Sequence, residues 1–116
     1  MHQICLALPV RMGRTSLARR LIRELHRERR EEHDRLERRL GVEKSACYLA
    51  DTPLGALLIA YLELESPERA QRLFAAAEDD GFGAWLTSGL RDATGIDLGA
   101  GERPAVPELL GSWSAR

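Results

Sequence analysis

Residues 44–64 read KSACYLADTPLGALLIAYLEL, two apolar runs separated by Thr52-Pro53-Leu54-Gly55. Pro stands second and Gly fourth in the linker, as a type I turn favours, so the runs are predicted to be strands of an antiparallel hairpin, Lys44–Asp51 and Ala56–Leu64. Side chains alternate along a strand, which puts Leu57, Ile59 and Tyr61 on one face and Leu58, Ala60, Leu62 and Leu64 on the other. Both faces are apolar, where a solvated face would carry Lys, Glu or Thr. The hairpin therefore needs cover on two sides.

Upstream, residues 3–10 form another apolar run, too short for a typical helix and interrupted by Pro9. It opposes Ile4, Leu6 and Leu8 to Cys5 and Ala7. Between this strand and the hairpin, helix-forming residues extend from Thr15 or Ser16, either of which can cap free amides, to Leu40, with Gly41 as the stop. Downstream, Ser66-Pro67 opens a helix whose buried stripe is Ala70, Leu73, Phe74 and Ala77. Asp79-Asp80-Gly81 interrupts it; Trp85, Leu86, Gly89, Leu90 and Ala93 mark a further short helix, and residues 95–98 are expected to supply a brief fourth strand. The expected fold is α+β: a ferredoxin-like βαββαβ domain over residues 1–98, with a long first helix and an extra short helix. Residues 99–116 are an extended tail, anchored by Leu109, Leu110 and Trp113.

The helices of so small a domain cover one sheet face. An apolar patch on the other is rarely left open, so a homodimer is expected. A tail folded across the sheet is the alternative, disfavoured by its three Gly and two Pro.

With 17 basic and 18 acidic side chains the net charge is −1, which excludes a global field attracting nucleic acid or an anionic membrane. Residues 19–39 hold nine Arg, but six acids accompany them and no aromatic side chain interleaves for base stacking. No nucleic-acid partner is expected. No window approaches about 18 apolar residues, so no membrane partner is expected either. The two cysteines, Cys5 and Cys47, lack metal or redox spacing and read as a reduced pair, in keeping with a cytoplasmic location. With three scattered histidines and no glycine-rich phosphate loop, neither a metal nor a cofactor is expected.

The first helix has an interrupted stripe. Ala18, Leu21, Ile22 and Leu25 define it, Leu36 and Leu40 resume it, and residues 26–35 contain no aliphatic side chain. At 100° per residue Arg29 and Glu32 fall near its centre, with His26 and His33 on its shoulder. One reading is a polar pocket floor in which His33 or His26 moves a proton while Arg29 stabilises an oxyanion or binds a carboxylate. The other is overhang into water, because a 25-residue helix spans about 37 Å and an eight-residue strand about 26 Å. Tyr48, Tyr61 and Trp85 are candidates for shaping a site for an aromatic ligand, beside the plainer reading of all three as core.

The segments Arg30-Glu31-Glu32-His33-Asp34-Arg35-Leu36, Gly41-Val42-Glu43-Lys44-Ser45, Leu57-Leu58-Ile59-Ala60-Tyr61 and Phe82-Gly83-Ala84-Trp85 resemble members of the dimeric α/β-barrel superfamily over residues 2–98. That grouping includes antibiotic-biosynthesis monooxygenases, small polyketide cyclases and an uncharacterised bacterial branch to which the likeness is nearest. The resemblance implies two sheets packed face to face and a small hydrophobic or aromatic ligand held between sheet and helices. It implies a small-molecule-binding homodimer, a cofactor-independent cyclase or monooxygenase of specialised metabolism. The alternative is a non-catalytic accessory or interaction protein.

Overall fold

A computed structural model describes residues 2–76 and 81–115. Its elements are β1 (His2–Pro9), α1 (Thr15–His26), α2 (Arg30–Leu40), β2 (Val42–Thr52), β3 (Gly55–Leu64), α3 (Pro67–Ala76) and α4 (Gly81–Thr94), followed by a 3-10 turn at Leu98–Ala100. The protein is α+β, with a three-stranded antiparallel sheet in the order β1-β3-β2.

The hairpin forms as the turn chemistry dictates. Thr52 pairs with Gly55, whose φ of +123° is a region that side-chain-bearing residues rarely adopt. Gly41 ends α2 in the left-handed conformation at φ +76°. Ser66 caps α3, its Oγ accepting a bond from the Arg69 amide at 3.2 Å. The expected cap on α1 does not form: Thr15 is already helical, Arg14 stands at the cap position, and no side chain bonds the first amides.

Leu8, Leu58 and Leu64 on one sheet face join Leu21, Leu25, Leu36, Leu40, Ala70, Leu86 and Leu90 from all four helices in a single core. Leu64 is only 1% exposed. α1 and α4 approach closely at Gly89, where a Cβ would lie 2.6 Å from Leu21 Cδ1. The opposite face presents Cys5, Ala7, Leu57, Ile59, Tyr61, Ala46, Tyr48 and Ala50 in neighbouring register and contributes nothing to that core. All four helices therefore serve one face.

Three further sequence expectations need correction. First, the long helix over 15–40 is two helices, because Arg27–Arg29 leave helical geometry. Second, residues 95–98 form no strand. Gly95 turns the chain at φ +81°, and the Asp97 carboxylate accepts a bond from the Ala100 amide at 3.1 Å, so the chain coils where it needed to extend. The element order is accordingly β-α-α-β-β-α-α. Third, the tail is not anchored on its own chain by Leu109, Leu110 or Trp113, all exposed, Trp113 by 87%. It touches β1 at a single bridge, where the Ala7 amide donates to the Ala105 carbonyl at 2.9 Å. Pro107 lacks the N–H needed at the next such position, opposite Cys5. Ala77, Asp79 and Asp80, assigned above to the end of α3 and its interruption, lie outside the described residues.

A candidate ligand cleft beside the helix break

The break between α1 and α2 contains neither Gly nor Pro; Arg27, Glu28 and Arg29 make it. Redirecting the chain there lets Leu36 and Leu40 return to the core, where a straight helix would carry them past the sheet. Arg29 fixes the corner. Its Nε donates to Glu24 Oε2 at 3.2 Å and its Nη1 to Glu32 Oε1 at 3.3 Å. Residues five apart lie on different faces of a regular helix, so the bond to Glu24 exists because the helix is broken. The Arg29 guanidinium also sits 4.2 Å from the centroid of Trp85, within cation–π range. Trp85 stacks on Phe82, the centroids 5.8 Å apart.

Beside this corner an open cleft of about 750 Å3 runs between α2 and the start of α4. Among the described residues its lining is Arg29, Glu32, Arg35, Leu36 and Arg39 from the first wall and Gly81 and Phe82 from the second. Among the described residues three guanidinium groups thus border one carboxylate, an aromatic ring and an aliphatic side chain. Glu32 is already held by Arg29. Such a lining suits a planar organic anion: the guanidinium forks bond a carboxylate or enolate oxygen, while Phe82 and Leu36 cover the apolar part.

The sequence-nominated residues separate into three places. Arg29, Glu32 and Trp85 meet at the corner. His26 and His33 meet each other, their rings edge to face at 4.8 Å, and are not among the cleft-lining residues. His26 Nδ1 donates to the Ile22 carbonyl at 2.9 Å, and His33 Nε2 donates to Glu37 Oε1 at 3.0 Å. The His33 side chain is only 13% exposed, and Glu37 Oε2 is buried without a hydrogen-bond partner among the described residues. Tyr48 and Tyr61 lie across the sheet on the helix-free face, where the Tyr61 hydroxyl donates to Glu63 Oε2 at 2.6 Å. That bond to a carboxylate holds the phenol proton and raises the Tyr61 pKa. Among the described residues no three His, Cys, Asp or Glu side chains converge as a metal site would require.

Sequence reading missed Arg35, Arg39 and Phe82 as cleft residues. Arg35 and Arg39 follow Glu32 at three and seven positions, the spacing of one helix flank, and this was the available signal. Phe82 was visible only as part of the Phe82–Trp85 segment. No protein-family model and no curated protein matches the chain.

Proposed function

We propose that this protein is a homodimer that binds a small aromatic or amphipathic organic anion in the cleft between α2 and α4. The observation that carries the reading is the convergence of Arg29, Arg35 and Arg39 with Phe82 around about 750 Å3 of open volume, within the range of small-molecule sites. Cofactor-independent cyclisation or oxygenation requires a proton carrier at the ligand. The described lining offers only Glu32, which is engaged by Arg29, and this favours binding over turnover.

The dimer is supported by the helix-free sheet face. Three strands about 4.8 Å apart and about 27 Å long present roughly 400 Å2 of mostly apolar surface, the size of the largest patches on monomers, which are often interaction sites. The exposed tail leaves it uncovered. A second copy placed there would make a face-to-face pair of sheets, and the tail would reach β1 at the edge where a ferredoxin-like fold carries its last strand. On this reading the chain is a dimeric α/β barrel of ferredoxin-like descent.

Two tryptophans are present, so a Trp113→Phe background leaves Trp85 as the single reporter. Titration with 2-naphthoate should quench Trp85 saturably. Adding Arg35→Ala and Arg39→Ala should weaken binding at least about tenfold, the worth of a lost charge-assisted hydrogen bond. Quenching that is absent, or indifferent to both arginines, rejects the cleft as the site.

A further inference from the structure

We propose that the outer face of α1 docks on the phosphate backbone of duplex DNA without reading its sequence. The expectation of no nucleic-acid partner rested on the net charge of −1, on the six acids that offset nine Arg over residues 19–39 of the expected long helix, and on the lack of interleaved aromatic side chains. The break divides that helix unequally. Residues 14–29, which are α1 with its flanking cap and break residues, hold six Arg and two Glu, whereas α2 holds four Arg and four acids. One of the two glutamates, Glu24, is bonded to Arg29. The other five arginines, Arg14, Arg19, Arg20, Arg23 and Arg27, are exposed, and their side chains make no ion pair among the described residues.

Placement on the helix makes a stripe of them. At 100° per residue Arg19, Arg20, Arg23 and the cap residue Arg27 fall within an arc of about 100°, opposite buried Ala18, Leu21 and Leu25. Arginine recurs about once per 5.4 Å turn. Ser16 is the remaining side chain on that arc, so the stripe carries no apolar or aromatic residue.

This composition selects the partner. Membrane insertion needs an apolar face, a stable protein interface needs an apolar centre, and single-stranded nucleic acid needs aromatic side chains for stacking. A rigid row of phosphates needs none of these, and guanidinium forks match it. The net charge of −1 does not oppose such contact, because at about 0.1 M salt charges beyond roughly 10 Å are screened and the stripe acts locally. α1 packs on the sheet face opposite the one available to a second copy, so dimerisation would leave the stripe open and present it twice. The proposal is independent of the cleft.

The test is fluorescence anisotropy of a labelled 20-base-pair duplex titrated with the full chain. Four phosphate contacts predict a slope of log affinity on log salt near about −3.6, a roughly 100-fold weakening between 50 and 200 mM. Arg19→Glu with Arg23→Glu should abolish binding at 50 mM salt with an unchanged circular dichroism spectrum. The milder set Arg20→Gln, Arg23→Gln and Arg27→Gln should flatten the slope by about two to three. Arg35→Ala, in the cleft, should leave binding unchanged. Absence of binding at 50 mM, or a slope that the stripe variants do not alter, overturns the proposal. So does displacement of the duplex by phosphatidylserine vesicles or polyglutamate at charge concentrations below that of the DNA.

Discussion

Arg29 joins more of the molecule than any other polar residue described. It bridges Glu24 on α1 and Glu32 on α2 and lies over Trp85 on α4. Its side chain is 31% exposed, and the two carboxylates are somewhat more so, which discounts each pair to a few tenths of a kcal/mol; with the cation–π contact the total is about 1–1.5 kcal/mol. Arg29→Leu should therefore lower stability by about 1 kcal/mol in urea denaturation and also weaken naphthoate binding. Arg29→Lys should restore little, because an ammonium lacks the fork that reaches both carboxylates. A loss above about 3 kcal/mol would show that the pair is buried in solution. Cys47 offers a separate check. Burial against the core pushes its thiol up to about 11 from an ordinary 9.0. The group is neutral in both states well below pH 9, so it adds no pH dependence there. Above that value the unfolded chain releases the proton first, and this contribution to stability is lost as pH rises from about 9 to 11. Iodoacetamide at pH 8 should label Cys47 much more slowly in the native protein than in the urea-unfolded chain, read by peptide mass spectrometry. Equal rates would contradict its burial.

At the scale of elements, the α1–α2 corner decides which helical residues matter. Leu36 and Leu40 pack in the core, whereas Arg35 beside them is exposed to the cleft. Leu36→Ala should cost about 3 kcal/mol as a core truncation, and Arg35→Ala less than about 0.5 kcal/mol, both by chemical denaturation. Similar losses at the two positions would mean that α2 is rotated from the orientation described. The sequence showed the gap in the aliphatic stripe at residues 26–35 but not what the gap does. Periodicity gives the phase of a helix, and a break without Gly or Pro leaves no mark in phase. The fourth strand failed for a related reason: Gly95-Ile96-Asp97-Leu98 has strand-like hydropathy, but Asp97 satisfies a backbone amide locally, and that competes with pairing on β1.

At the scale of the whole molecule, the two sheet faces have different fates. Leu58 is 3% exposed in the core and Ile59 is on the helix-free face. Light scattering should find the wild type as a dimer through the micromolar range. Ile59→Arg should give a folded monomer with a native circular dichroism spectrum, because the charge stays in water. Leu58→Arg should fail to fold, because it buries an unpaired charge. A wild-type monomer, or an Ile59→Arg dimer, would exclude this face as the interface.

The sequence by itself determined the three strands, the hairpin with its Pro53 and Gly55 turn, the helix stop at Gly41 and the helix start at Ser66, and an apolar pattern on both sheet faces. These rest on local rules: turn geometry, capping and the alternation of side chains. It also brought forward Arg29 and Glu32, because charge in an apolar stripe is visible to a helical count, and Trp85 as a large aromatic on an amphipathic helix. Only the tertiary structure decided which sheet face the helices take, that one helix becomes two, and that Arg35, Arg39 and Phe82 share a cleft while the histidines and tyrosines lie elsewhere. Those outcomes depend on where elements cross in space. A count along the chain carries phase but neither distance nor direction beyond the first bend.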